Sequence, residues 1–191
     1  MVRDREWVEF ATRADLRGWL EANHGQALGI WAVYPRGKAD ETDLSWETLV
    51  EECLCFGWID SLPGKVDARR TRTYISPRKR GSGWSRRNQL LVESLVNDGR
   101  MHPSGEAVVR EAQSDGSWSL FDLAEDLVIP AGLAAELQNN PSAQAGFDAY
   151  PERLRKSLLQ WYYSAKTDPT RNSRCHAIAE AAARGERPRG F

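Results

Sequence analysis

Cysteine is scarce in this chain of 191 residues, with three in all, and histidine is equally rare. An odd count of cysteines without a framework of spaced pairs excludes a disulfide-stapled scaffold and predicts reduced thiols in a reducing compartment. Cys53-x-Cys55 has one intervening residue and no second pair, so it does not make a structural zinc site, and no metal is expected. His24, His102 and His176 lie far apart, and none stands beside a serine or cysteine in a nucleophile motif, which excludes a recognisable catalytic triad. No glycine-rich phosphate loop of the P-loop or dinucleotide-binding type is present, and no cofactor is implied. No apolar run approaches the roughly 20 residues of a membrane span, and the N-terminus MVRDREWVEF lacks the apolar core of a signal peptide. The expected location is therefore the cytoplasm.

Net charge is also nearly absent, at −1, but this balance hides segregation. Residues 1–60 hold twelve acids and six bases, 111–152 hold eight acids and no base, and 153–189 hold nine bases and three acids. The densest basic segment runs from Lys65 to Arg87, with nine Lys/Arg against the single acid Asp67, and Tyr74 and Trp84 set among them. Such a segment in a near-neutral protein reads as a surface for something anionic. With 41% hydrophobic and 28% charged residues the composition is that of an ordinary globule of one domain, or one domain with a helical annex.

The chain reads as α+β, a small N-terminal sheet with flanking helices followed by an all-helical C-terminal part. Thr12 and Asp15 predict a capped helix with Leu16, Trp19 and Leu20 inward. The apolar run from Ala27 to Tyr34 predicts a buried strand, and Ser45 opens a helix whose stripe is Trp46, Leu49, Val50, Cys53 and Leu54. Pro63-Gly64 suggests a turn, with a hairpin from Val66 to Ile75 after it. Ser85 is placed to cap a helix with Asn88 at its third position, running to Gly99. Helices are expected over Pro103–Gln113, Leu133–Asn139, Pro151–Ala165 and Pro169–Arg184, the last two packed as a hairpin with Trp161 in the core. An α+β domain over 1–116 and a helical domain over 130–185 follow, with the acidic stretch around Pro130 as the seam.

Two sets of residues invite a binding role. The loop from Ser76 to Asn88 leads into a helix N-terminus, whose free N–H groups together with Arg78 and Ser85 suit a phosphate or carboxylate. A solvated basic loop before an ordinary capped helix is the bland alternative. Asp60 follows an apolar turn, where it can orient an arginine, act as a general base, or simply cap the turn. Of the eight tryptophans, Trp19, Trp31, Trp46 and Trp161 occupy apolar positions, whereas Trp58 and Trp84 fall in loops that a ligand can reach.

The motif CFGWID, then a basic hairpin, SPR and GWSRRN, then NDGRM, resembles the YdeI/OmpD-associated family, also called bacteriocin-protection proteins. The C-terminal segments LQNNPSAQAGFDAYP, LLQWYYSAK and PTRNSR resemble the terminal helical domain of the same family. The resemblance implies this fold, a link to protection against bacteriocins or antimicrobial peptides, and association with an outer-membrane porin. It assigns no molecular activity.

The reading that follows is a protein that binds an anionic small molecule or phosphate-bearing partner. Arg78 is its charge partner, Ser85 its donor, Trp58 and Trp84 its walls, Asn88 its orienting amide, and Asp60 lies alongside. An enzyme using Asp60 as base is the alternative, and a nucleic-acid-binding module built on residues 65–87 comes third.

Overall fold

A computed structural model describes residues 5–26, 28–37 and 42–191. It has the α+β organisation expected, a four-stranded sheet with helices in the N-terminal half and helices alone thereafter. Its elements are β1 (Trp7–Glu9), α1 (Arg13–Asn23), β2 (Ile30–Pro35), α2 (Trp46–Cys55), β3 (Trp58–Lys65), β4 (Arg70–Pro77), α3 (Arg86–Asn97), α4 (Pro103–Asp115), α5 (Asp122–Glu125), α6 (Ala131–Gln138), α7 (Pro141–Ala149), α8 (Glu152–Tyr163) and α9 (Asp168–Ala183). They gather into two compact units. The first holds residues up to Ser82 together with Arg87–Asp115, and the second holds Gly83–Arg86 with Gly116–Phe191.

In the first unit the strand order is β1-β2-β4-β3, with β1 parallel to β2 and the other pairs antiparallel. β2 is buried from Ile30 to Tyr34, as its unbroken apolar run requires, although it begins at Ile30; Ala27 lies outside the described residues. The hairpin begins earlier than expected. Trp58 pairs with Pro77 and Asp60 with Ile75, so the GWID motif is strand rather than loop. Pro63-Gly64 does not make the turn. Both residues continue β3 past an irregularity between Asp60 and Pro63, tolerated because β3 is an edge strand and Pro63 needs no ladder donor there. The turn falls instead at Asp67, whose carboxylate accepts the N–H groups of Arg69 and Arg70, both at 2.8 Å.

Helices α1 and α2 start with capping boxes, Thr12 with Asp15 and Ser45 with Thr48. Between them lies the buried carboxylate of Glu52, 1% exposed. It is held by Arg13 Nε at 2.6 Å, Arg17 Nη1 at 2.9 Å and Arg100 Nη2 at 2.9 Å. Glu51 closes the network on Arg13 and Arg100. The cysteines Cys53, Cys55 and Cys175 are free and buried, so Cys53 does pack inward.

In the second unit α9 packs against α6, α7 and α8. Its core includes Leu133, Leu137, Phe147, Leu158, Leu159 and Ile178. Helix α7 escaped the sequence reading although its signal was there: Asn140 caps it by accepting from the N–H groups of Ser142 and Ala143, and Pro141 occupies its first position. Trp161 lies partly buried at the edge of this core, under the guanidinium of Arg174 at 4.9 Å.

A candidate anion site around Asp60

Trp58 opens β3 and is 1% exposed, and its indole N–H donates to the carbonyl of His24 at 3.0 Å. Trp84 is equally buried and stacks on Trp118 with ring centroids 4.9 Å apart. The expectation that these two tryptophans can be reached by a ligand is therefore corrected. Both are structural, because a hairpin that starts at residue 58 draws Trp58 inward, and the Trp118 ring covers Trp84. Among the four tryptophans read as core, Trp46 is 38% exposed.

Trp46 is also what the sequence reading missed. Its indole N–H donates to Asp60 Oδ2 at 3.0 Å, and its ring carries the guanidinium of Arg87 at 4.3 Å. Asp60 thus fixes the edge of an indole that presents a cation on its face. The i, i+3, i+4 periodicity of α2 placed Trp46 inward. As the first residue of that helix it turns instead to the edge strand. Arg87 and Asn88 are successive residues of α3, and Arg87 also helps hold the Glu47 carboxyl below its ordinary range, after the Glu47 backbone and Ser45 hydrogen bonds.

Arg78 follows β4, and its N–H donates to the carbonyl of Gly57 at 3.0 Å, beside Trp58. Burial penalises its charge and pulls its pKa down to about 10. Asp60, Arg78 and Asn88 all belong to the first unit, whereas Trp84 and Ser85 belong to the segment grouped with the second. Next to Ser85, the N–H of Arg86 points at Glu125 Oε1 at 3.4 Å, and its guanidinium meets Asp126 at 2.9 Å. Gln160 holds the same Glu125 oxygen at 3.0 Å. The backbone N–H and the guanidinium of Arg86 thus both meet carboxylates of the chain itself.

The same economy runs through the basic segment. Arg70 pairs with Asp67 at 2.7 Å and Glu9 at 3.0 Å, and Arg80 with Glu111 at 3.2 Å. Arg72 and Arg87 lie instead on tryptophan rings. A cleft of about 820 Å³, lined among others by Glu9, Phe10, Asp15, Pro35 and Arg70, opens beside the hairpin turn. Among the described residues no group of three or more His, Cys, Asp and Glu is placed to hold a metal ion, and no helix is long and apolar enough to cross a membrane.

These features define a small mixed sheet with flanking helices, joined in one chain to an all-helical unit. Residues 8–108, more than half of the chain, match the model of a domain of unknown function, DUF8412, and the chain belongs to that family. Residues 126–185 match the model of the bacteriocin-protection, YdeI or OmpD-associated family, which bears out the resemblance for the C-terminal helical segments, whereas CFGWID and GWSRRN fall within the DUF8412 match. No curated protein and no solved structure matches the chain.

Proposed function

We propose that this YdeI/OmpD-associated protein is a cytoplasmic binding protein that recognises an anionic small molecule or a phosphate-bearing partner beside Asp60. The observation that carries the reading is the stack of Arg87 on a half-exposed Trp46 whose edge is fixed by Asp60. A guanidinium held over an indole face by its central carbon retains N–H groups for an oxyanion, and the contact reduces the freedom lost on binding. Arg78 and the amide of Asn88 are the further groups of the first unit assigned to the ligand. Trp58, two residues before Asp60 on β3, is buried and anchors that strand through its bond to His24.

Titration calorimetry of the intact chain with inorganic phosphate and with citrate tests the reading. Saturable binding is expected, weakened about tenfold or more in Arg87→Met, as befits loss of a charged hydrogen-bonding group. The salt dependence should be shallow, because one or two charges are engaged rather than a diffuse patch. Absence of saturable binding, or equal binding by Arg87→Met, overturns it. A link to bacteriocin or antimicrobial-peptide protection is supported by the match over residues 126–185. A plasmid-borne copy should then raise the survival of a sensitive bacterium under cationic-peptide challenge, and unchanged survival removes that link.

A further inference from the structure

Along the sheet, register pairs Trp7 with Trp31 and Trp31 with Tyr74, while Arg72 pairs with Val33, two residues along β2 from Trp31. Side chains of paired residues share a face and residues two apart do too, so Trp7, Trp31, Arg72 and Tyr74 stand on one face of three adjacent strands. The Arg72 guanidinium lies over the ring of Trp7 at 4.1 Å and over that of Trp31 at 4.3 Å. Tyr74 meets Trp31 edge-on at 5.5 Å. Trp7, the outermost ring, is 51% exposed.

Two further observations separate Arg72 from the other cations of its segment. Its Nε is out of solvent and finds no hydrogen-bond partner among the described residues, and no carboxylate there pairs with the guanidinium, unlike those of Arg70, Arg80 and Arg86. Its strand partner across the hairpin is Gly64, where a Cβ would stand 2.6 Å from Arg72 Nε. The absent side chain at residue 64 is what lets the guanidinium lie as it does.

We infer that this sheet face binds a nucleotide, with the base stacked on the free side of the Trp7 indole and the phosphate bound by the Arg72 guanidinium. The two halves of such a ligand match the two halves of the face. An indole half in solvent is a stacking platform for any base, and a guanidinium whose central carbon lies over two rings retains N–H donors that fit phosphate oxygens. One ring thickness separates platform from cation, a step that a sugar linking base and phosphate spans. The site shares no residue with the Asp60 side, so the two proposals stand or fall separately.

The test titrates the intact chain with adenosine 5′-monophosphate, adenosine, inorganic phosphate and a short oligodeoxythymidylate. The monophosphate is expected to bind saturably, and adenosine and phosphate each at least about tenfold more weakly. Trp7→Ala should lose about tenfold for the monophosphate with an unchanged melting curve, since the ring is largely outside the core. Gly64→Ala, which displaces the guanidinium without removing it, should lose binding as well. An oligonucleotide binding more tightly than the monophosphate, with the same dependence on Trp7, identifies a single strand as the source of the nucleotide. No binding of either nucleotide probe by the wild type, or binding indifferent to both Trp7→Ala and Gly64→Ala, overturns the inference. Phosphate bound as well as the monophosphate and indifferent to Trp7 also overturns it, while leaving the anion reading of the Asp60 side intact.

Discussion

Arg100 reaches the buried carboxylate of Glu52 at 2.9 Å from 48 residues further along the chain. With Arg13 and Arg17 on the same carboxylate, three cations depend on one acid and on Glu51 beside it. A buried ion pair is weak evidence of net stability, but removing one partner leaves the others uncompensated. Glu52→Ala is therefore expected to cost about 3–5 kcal/mol in urea denaturation. A loss below about 1 kcal/mol would show that water or Glu51 takes over the role.

Helices α7 and α9 touch through backbone. A Cβ on Gly146 would lie 1.9 Å from the carbonyl oxygen of Ala182, whereas one on Gly132 would find only Cys175 Sγ at 3.6 Å, an ordinary contact. Gly146→Ala should destabilise the second unit by roughly 1–3 kcal/mol, as overpacking does. Gly132→Ala should be neutral or gain a few tenths, because alanine restricts the unfolded chain. Equal melting temperatures for the two variants would contradict the close approach.

Burial pushes the Cys53 and Cys175 thiols up, and takes Cys55 to about 11. A thiol kept protonated and out of solvent does not react. All three should resist Ellman's reagent in the native state and label at the rate of unfolding. Fast labelling of any one at mildly alkaline pH would show an opening that the fold does not display.

His102 stacks on Phe56 at 4.7 Å and faces His24 at 4.7 Å. Desolvation first, then repulsion from His24, holds its pKa below the ordinary 6.5, with Arg17 acting the same way and Glu21 opposing. Its proton is thus bound more readily in the unfolded chain. Stability attributable to His102 is present above the unfolded value and is lost as the pH falls from there towards the folded one. Melting between about pH 7.5 and about pH 5.5 should show wild type losing more than His102→Asn. Identical slopes would remove His102 as the cause.

Most of the secondary structure was legible. Capping at Thr12 and Ser45, the apolar run of β2 and the stripes of the long helices are local signals, and each produced an element near its expected place. The three-residue β1 carries no periodicity of its own and exists only because β2 offers an edge. The hairpin was displaced because Pro63-Gly64 was read as a turn, although an edge strand accommodates both residues.

The candidate site was less legible for a related reason. Charge density is visible in sequence, but the carboxylates that neutralise it are not: Glu9 for Arg70, Glu111 for Arg80 and Asp126 for Arg86 are all distant in the chain. Exposure of tryptophan was misjudged at Trp46 and Trp58 because a helix terminus and a strand start were taken for a helix interior and a loop.

Pro63, on the outer strand of the sheet, has a consequence for how copies of this molecule meet. A strand with an open flank is a template on which another chain can lay a fifth strand, and from there a stack. Here that flank is interrupted by the irregularity before Pro63, lacks an N–H donor at Pro63 itself, and ends on the exposed ammonium of Lys65. Each of these discourages a passing β-segment. Replacing Pro63 and Lys65 together with β-branched apolar residues should therefore make the chain more prone to aggregate on concentration than the wild type, with its sheet still formed.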